Sequence, residues 1–131
     1  MAARQRSLTS AAREIGIELA EWGKVALLET TGRKSGRAAT TAVGFVDRED
    51  GSLLVAAGGD ASDWALNLRA QPHCRVTIGD RVGNYEAHEL ADGAERSRVL
   101  VDLVLKYGTP AERLGRGPVF RLVSRADLPS V

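Results

Sequence analysis

Three cations and a hydroxyl fall within six residues, Gly32-Arg33-Lys34-Ser35-Gly36-Arg37, between two stretches that read as β-strand. The chemistry such a group can do is to hold an anion. Gly32 and Gly36 adopt positive φ without steric cost, so the chain can turn tightly there. They also let the backbone approach a ligand, with N–H groups turned outward as a nest. Arg33, Lys34 and Arg37 add charge, and Ser35 adds a hydroxyl. Each sheltered hydrogen bond to a charged group is worth about 1.5–3 kcal/mol. The competing reading is a solvated hairpin turn, with glycine for geometry and Lys/Arg for solubility. A P-loop is excluded: Gly-x-x-x-x-Gly-Lys-Ser is absent, and the next element reads as strand rather than helix.

A second group lies downstream. Ala56-Ala57-Gly58-Gly59 ends an apolar strand in small residues, which leaves room for a flat ligand against the backbone. Trp64, Asn67 and Leu68 share a helix face a few residues later. An Asn set between large apolar neighbours needs hydrogen-bond partners if it is buried. Tying down a neighbouring loop is one way to meet that need. Trp64 can equally be plain core. Other candidates are bland. His73 and His88 have no spacing for a shared metal, and Cys74 alternates with Val76 and Ile78 toward the core as an inert thiol. No metal site and no Ser-His-Asp arrangement is expected.

The elements that must position these residues follow from periodicity. Residues 7–22 read as a helix, with Leu8, Ile15 and Trp22 spaced by seven and Ala12 and Leu19 between them. That stripe first suits packing on its own domain, with a partner helix or a membrane surface as the alternatives. Lys24 to Thr31 is a strand, and Ala38 to Asp47 returns as the second arm of a hairpin. Ser52 to Ala57 is a short buried strand. A helix from about Ser62 to Ala70 is capped by Asp60 or Ser62 and ended by Pro72. His73 to Ile78 and Arg81 to Leu90 are strands joined by Gly79-Asp80. Asp92-Gly-Ala-Glu95 resembles a capping box with Asp92 as cap, opening a helix that carries Leu100, Leu103, Val104 and Tyr107. Val119 to Val123 is the last strand. Tight turns between early strands make the sheet mostly antiparallel, and the order favours a small barrel with flanking helices over a doubly wound sheet.

The chain of 131 residues fits one domain with an N-terminal helix. Its net charge of +1 gives no global support for nucleic-acid binding. A single cysteine excludes an internal disulfide, and the start lacks a secretory apolar stretch, so a cytoplasmic protein is expected. Strand edges and the N-terminal stripe suit a homodimer.

One resemblance joins these pieces. Thr30-Thr31-Gly32-Arg33-Lys34-Ser35-Gly36, the small-residue strand end, and Trp64-x-x-Asn67-Leu68-x-Ala70-x-Pro72 occur in an order and spacing similar to the deazaflavin-dependent nitroreductase family, also described as F(420)H2-dependent quinone reductases. The likeness covers roughly Lys24 to Leu90, with an echo at Gly117 to Leu122. It implies an α+β split β-barrel of the FMN-binding type and coenzyme F(420), a deazaflavin with a phosphate and an oligoglutamate tail. Arg33, Lys34, Ser35, Gly36 and Arg37 would hold that tail, Ala56 to Gly59 would lie against the ring, and Trp64 and Asn67 would close over it. The implied activity is hydride transfer to a small organic acceptor such as a quinone, a nitro compound or an activated alkene. Tyr107 is a candidate substrate contact. Two alternatives stay open: an FMN-using barrel enzyme, and a non-catalytic module binding a lipid, an anionic metabolite or a cofactor. The chain departs from relatives after the turn. They often carry Pro, Arg and Pro, where this chain has Ala38, Ala39 and Ala42 around Thr40 and Thr41, whose hydroxyls would substitute for a missing cation.

Overall fold

The computed structural model describes residues 14–58, 62–108 and 116–127. The described residues form seven strands, β1 (Ala26–Thr31), β2 (Ala38–Val43), β3 (Val46–Asp47), β4 (Leu53–Ala56), β5 (His73–Ile78), β6 (Arg81–Glu89) and β7 (Val119–Ser124). Helix α1 covers residues 14–21, and α2 (Asp63–Ala70) and α3 (Ala94–Tyr107) follow β4 and β6. A one-turn 3₁₀ helix, Arg125–Asp127, succeeds β7. The strands form one sheet in the order β2-β1-β5-β6-β7-β4-β3, with every pair antiparallel. The sheet curls into a half-barrel, the α+β architecture expected of a split barrel. No described helix is long and apolar enough to cross a membrane.

Alternation explains which face is inside. Ala26, Leu28 and Thr30 on β1 and Cys74, Val76 and Ile78 on β5 are buried at every second position. All but Thr30 join Val55, Phe120 and Leu122 in the main core, against which Ala65 and Leu68 of α2 pack. Strand β4 is buried on both faces because Leu54 packs with Val99 and Leu103 of α3 on the other side. A continuous apolar run is the sequence pattern of such a doubly covered strand.

The structure corrects three expectations. The return arm of the first hairpin breaks at Gly44 and Phe45, giving β2 and β3 in place of one strand. The ring of Tyr107 occupies the space beside Gly44, where a Cβ would come within 2.9 Å of it. Helix α3 starts from Gly93, with no side-chain cap, and Asp92 instead lies 3.7 Å from Arg96 one turn on. The large residues at either end of the described stripe face outward: Ile15 and Trp22 are 57% and 69% exposed and Leu19 is half-buried, while Gly16 and Ala20 are buried. The small face wins because a Cβ at Gly16 would come within 2.9 Å of Ala42 Cβ, and Gly79 N–H donates to Ala20 C=O at 2.7 Å. Leu8 and Ala12 of that stripe lie outside the described residues.

Cys74 is the inert core thiol anticipated, 6% exposed, with burial pushing its pKa up to about 12. The folded value exceeds the ordinary 9.0, so its contribution to stability is complete below about pH 9 and is lost as pH rises toward 12. At pH 8 a thiol reagent such as DTNB is expected to label the native protein far more slowly than the urea-unfolded chain. Equal rates would show an accessible thiol.

Candidate functional site

The basic turn is built by a division between residues that shape it and residues that carry free charge. Gly36 has φ of 72°, the left-handed region that favours glycine. Gly32 is required for a different reason from the one expected: a Cβ there would lie 2.7 Å from Ser35 Oγ and 3.1 Å from the Arg37 carbonyl oxygen. The turn closes on itself through Gly32 N–H to Arg37 C=O and Gly36 N–H to Gly32 C=O, both 2.8 Å. Arg37 N–H donates to Ser35 Oγ at 3.1 Å.

Arg33 faces inward. Its backbone N–H and its Nη1 both donate to Asn67 Oδ1, at 3.2 and 2.8 Å, and its Nη2 reaches Asp63 Oδ1 at 3.2 Å. Asn67 Nδ2 donates in turn to Thr30 Oγ1 at 3.1 Å. Asn67 is 4% and Thr30 2% exposed, so these bonds satisfy groups removed from water. The Asn67 amide therefore ties turn, β1 and α2 together. Arg69, two residues later in α2, forks onto Glu89 of β6 with two bonds of 2.8 Å and holds that carboxyl below the usual range.

Most of the turn's backbone donors are used within the protein rather than turned outward as a nest. The N–H groups of Gly32, Arg33, Gly36 and Arg37 all have protein acceptors. The side chains of Lys34 and Arg37 make no hydrogen bond or ion pair among the described residues, which leaves two unpartnered cations at the tip.

Beside the turn, a groove of about 460 Å³ opens between the first hairpin and α2. Thr30, Ala39, Thr40 and Thr41 form one wall, and Ser62, Asp63, Trp64 and Asn67 the other. Trp64 also packs on the core, 6.1 Å from the Phe120 ring. Thr30, Ala39, Ser62 and Asp63 were not among the site residues expected from the sequence. The first two could have been found by counting outward in equal steps from the turn, since Thr30 pairs with Ala39 and Leu28 with Thr41. Ala42, one of the departures from the family, is small where α1 approaches at Gly16.

The small-residue strand end divides. Ala57 is fully buried with its N–H on the Pro118 carbonyl, Ala56 packs with the α3 cluster, and Gly58 is exposed. Gly59 lies outside the described residues. Tyr107 is elsewhere. Its hydroxyl donates to the Lys24 carbonyl at 2.8 Å and accepts Phe45 N–H at 3.0 Å, bolting the end of α3 to the starts of β1 and β3. It does not line the groove, so the geometry favours a tether over the anticipated substrate contact. Tyr107→Phe is expected to lower stability by about 1–2 kcal/mol, because Phe45 N–H loses its acceptor. A urea melt checks this; an altered KM with an unchanged melt would restore the substrate role. Among the described residues no group of His, Cys, Asp and Glu could hold a metal ion.

A half-barrel with a basic turn beside a threonine-lined groove has the architecture of the split-barrel proteins. The chain belongs to the F(420)H2-dependent quinone reductase family, whose pattern it matches over residues 2–116. It is a deazaflavin-dependent oxidoreductase by that membership. A solved F(420)-H2 dependent reductase (FDR-A) is 32% identical, with a TM-score of 0.63 over 76% of this chain and 93% of that one. A protein solved as a domain-swapped dimer is 29% identical, with a TM-score of 0.62 over 87% and 98%. The haem storage protein HutZ from Vibrio cholerae shares the fold at 20% identity, with a TM-score of 0.62 over 86% and 89%.

Proposed function

We propose that this protein reduces a small organic acceptor (a quinone, a nitro compound or an activated alkene) with coenzyme F(420)H2 held along the turn and groove. The observation that carries the reading is the join made by Asn67, which sets two unpartnered cations at one end of the groove. The residues present suit the coenzyme. Lys34 and Arg37 match an anionic tail, Thr40 and Thr41 offer hydroxyls in place of the family's cation, and Trp64 offers an aromatic face. Arg33 contributes by shaping the turn. When bound, the coenzyme supplies a hydride from its reduced ring. The chain's part is to bind, orient and keep water from the ring. Asp63 is the one carboxylate among the described groove residues; it is 88% exposed and paired with Arg33. Solvent is therefore the proton source in this reading.

Titration with deazaflavin and, separately, FMN, followed by absorbance and Trp quenching, tests the proposal. Micromolar binding of deazaflavin and oxidation of its reduced form by at least one quinone, nitro compound or enone are expected. Absence of deazaflavin binding overturns it, and tight FMN binding with turnover would assign the FMN reading instead. Binding without turnover on any acceptor would point to a carrier. The outward face of α1 and the domain-swapped relative support a homodimer, which sedimentation checks.

A further inference from the structure

A second concavity, of about 640 Å³, opens at the other end of the half-barrel. Leu27 pairs with Thr77 and Glu29 with Arg75, so the last residues of β5 lie by the start of β1, while the basic turn follows its end. Five strand steps separate the two, about 17 Å. The floor is apolar: Val76 and Ile78 of β5 and the ring of Tyr85 of β6. Two guanidiniums, Arg81 and Arg125, stand among the lining residues, and no carboxylate does among the described residues. Ser124, opposite Tyr85 in the β6–β7 pairing, adds a hydroxyl.

Gly83 connects these features. It sits in mid-strand opposite Val76, and its φ is not positive, so backbone conformation does not demand glycine there. A mid-strand glycine weakens a strand and marks close approach by another group. Here a Cβ would stand 3.0 Å from Tyr85 Cε2, so the missing side chain lets the Tyr85 ring lie along the strand as part of an open floor. The Arg81 guanidinium meets Asp47 at 3.5 Å with both side chains more than half exposed, a pair worth little and easily exchanged for a ligand. Arg125 has no ion-pair partner among the described residues.

We propose that this end of the barrel is a second binding site, for an organic anion with a flat apolar body, an aromatic carboxylate or aryl phosphate. The body lies on Tyr85 and Gly83 and the anionic group meets Arg81 and Arg125. The volume is within the range of small-molecule sites, roughly 300–1,000 Å³. The site is independent of the coenzyme reading.

The test is amide chemical-shift titration of the full chain with 2-naphthoate, 2-naphthyl phosphate, uncharged 2-naphthalenemethanol and inorganic phosphate. Saturable shifts at Val76, Gly83, Tyr85 and Ser124, and not at Gly32 to Arg37, are expected with at least one aromatic anion; which of the two binds tighter assigns carboxylate or phosphate. An Arg81→Ser/Arg125→Ser variant is expected to bind at least tenfold more weakly with a native spectrum. Gly83→Leu, which fills the floor, is expected to abolish binding. Should it misfold, the arginine variant decides. The proposal is overturned if no aromatic anion gives saturable shifts, if the shifts fall at the basic turn, if the uncharged alcohol binds equally well, if inorganic phosphate alone binds as tightly, or if the arginine variant binds like the wild type.

Discussion

Asn67→Ala is expected to lower stability by about 2–4 kcal/mol, a fall in melting temperature on the order of 10 °C, and to weaken the coenzyme at the same time. The substitution removes the acceptor of two Arg33 bonds and the donor to Thr30. Thr30 is 2% exposed, so water does not replace the lost partner, and an unpaired buried hydroxyl costs free energy outright. Arg33 is released from α2, and the tip that carries Lys34 and Arg37 loses its fixed attachment. An Asn67→Asp variant separates the effects: it keeps the acceptor for Arg33, and the Thr30 hydroxyl can donate to its carboxylate, so most stability should return. Thermal melts of Asn67→Ala, Arg33→Ala and the double variant form a cycle, in which a coupling near zero would contradict this account.

The second large effect falls on affinity alone. Lys34→Ala/Arg37→Ala should weaken coenzyme F(420) roughly thirtyfold, about 1 kcal/mol for each screened, exposed cation. Neither side chain has a partner among the described residues, so the melting temperature should stay within about 2 °C. The dependence of log Kd on log salt should also flatten, because two charges leave the contact. Unchanged affinity in the double variant would move the tail away from the turn, even if coenzyme binding itself stands.

The two predictions show what the sequence made legible. The turn, the hairpin, the half-buried β5 and the helix after Gly58 follow from glycine placement and from alternation, which are local and regular. Asn67 was readable as a buried polar group in need of partners, because it stands between Trp64 and Leu68 on one face. Its particular partners were not, since Arg33 lies 34 residues away and could as well have faced solvent. The same holds for Tyr107, whose hydroxyl meets Lys24 across 83 residues. Periodicity marks which face of a helix is apolar; it does not say whether a neighbour will cover the large side chains or the small ones. At α1 the close approach permitted by Gly16 and Ala20 prevailed over the larger stripe of Ile15 and Trp22. The pairing of Thr30 with Ala39 needed only the turn length, and was within reach of counting.

The division of the turn has an evolutionary consequence. Shape resides in Gly32, Arg33 and Gly36, anchored by Asn67, while the side chains at positions 34 and 37 are exposed and Arg37 serves the turn through its backbone alone. Descendants could therefore exchange Lys34 and Arg37 for neutral, acidic or aromatic residues without disturbing the hairpin. If the turn holds a cofactor tail as proposed, drift at those two sites would retune which tail it accepts, and substitution at the other four would remove the platform itself.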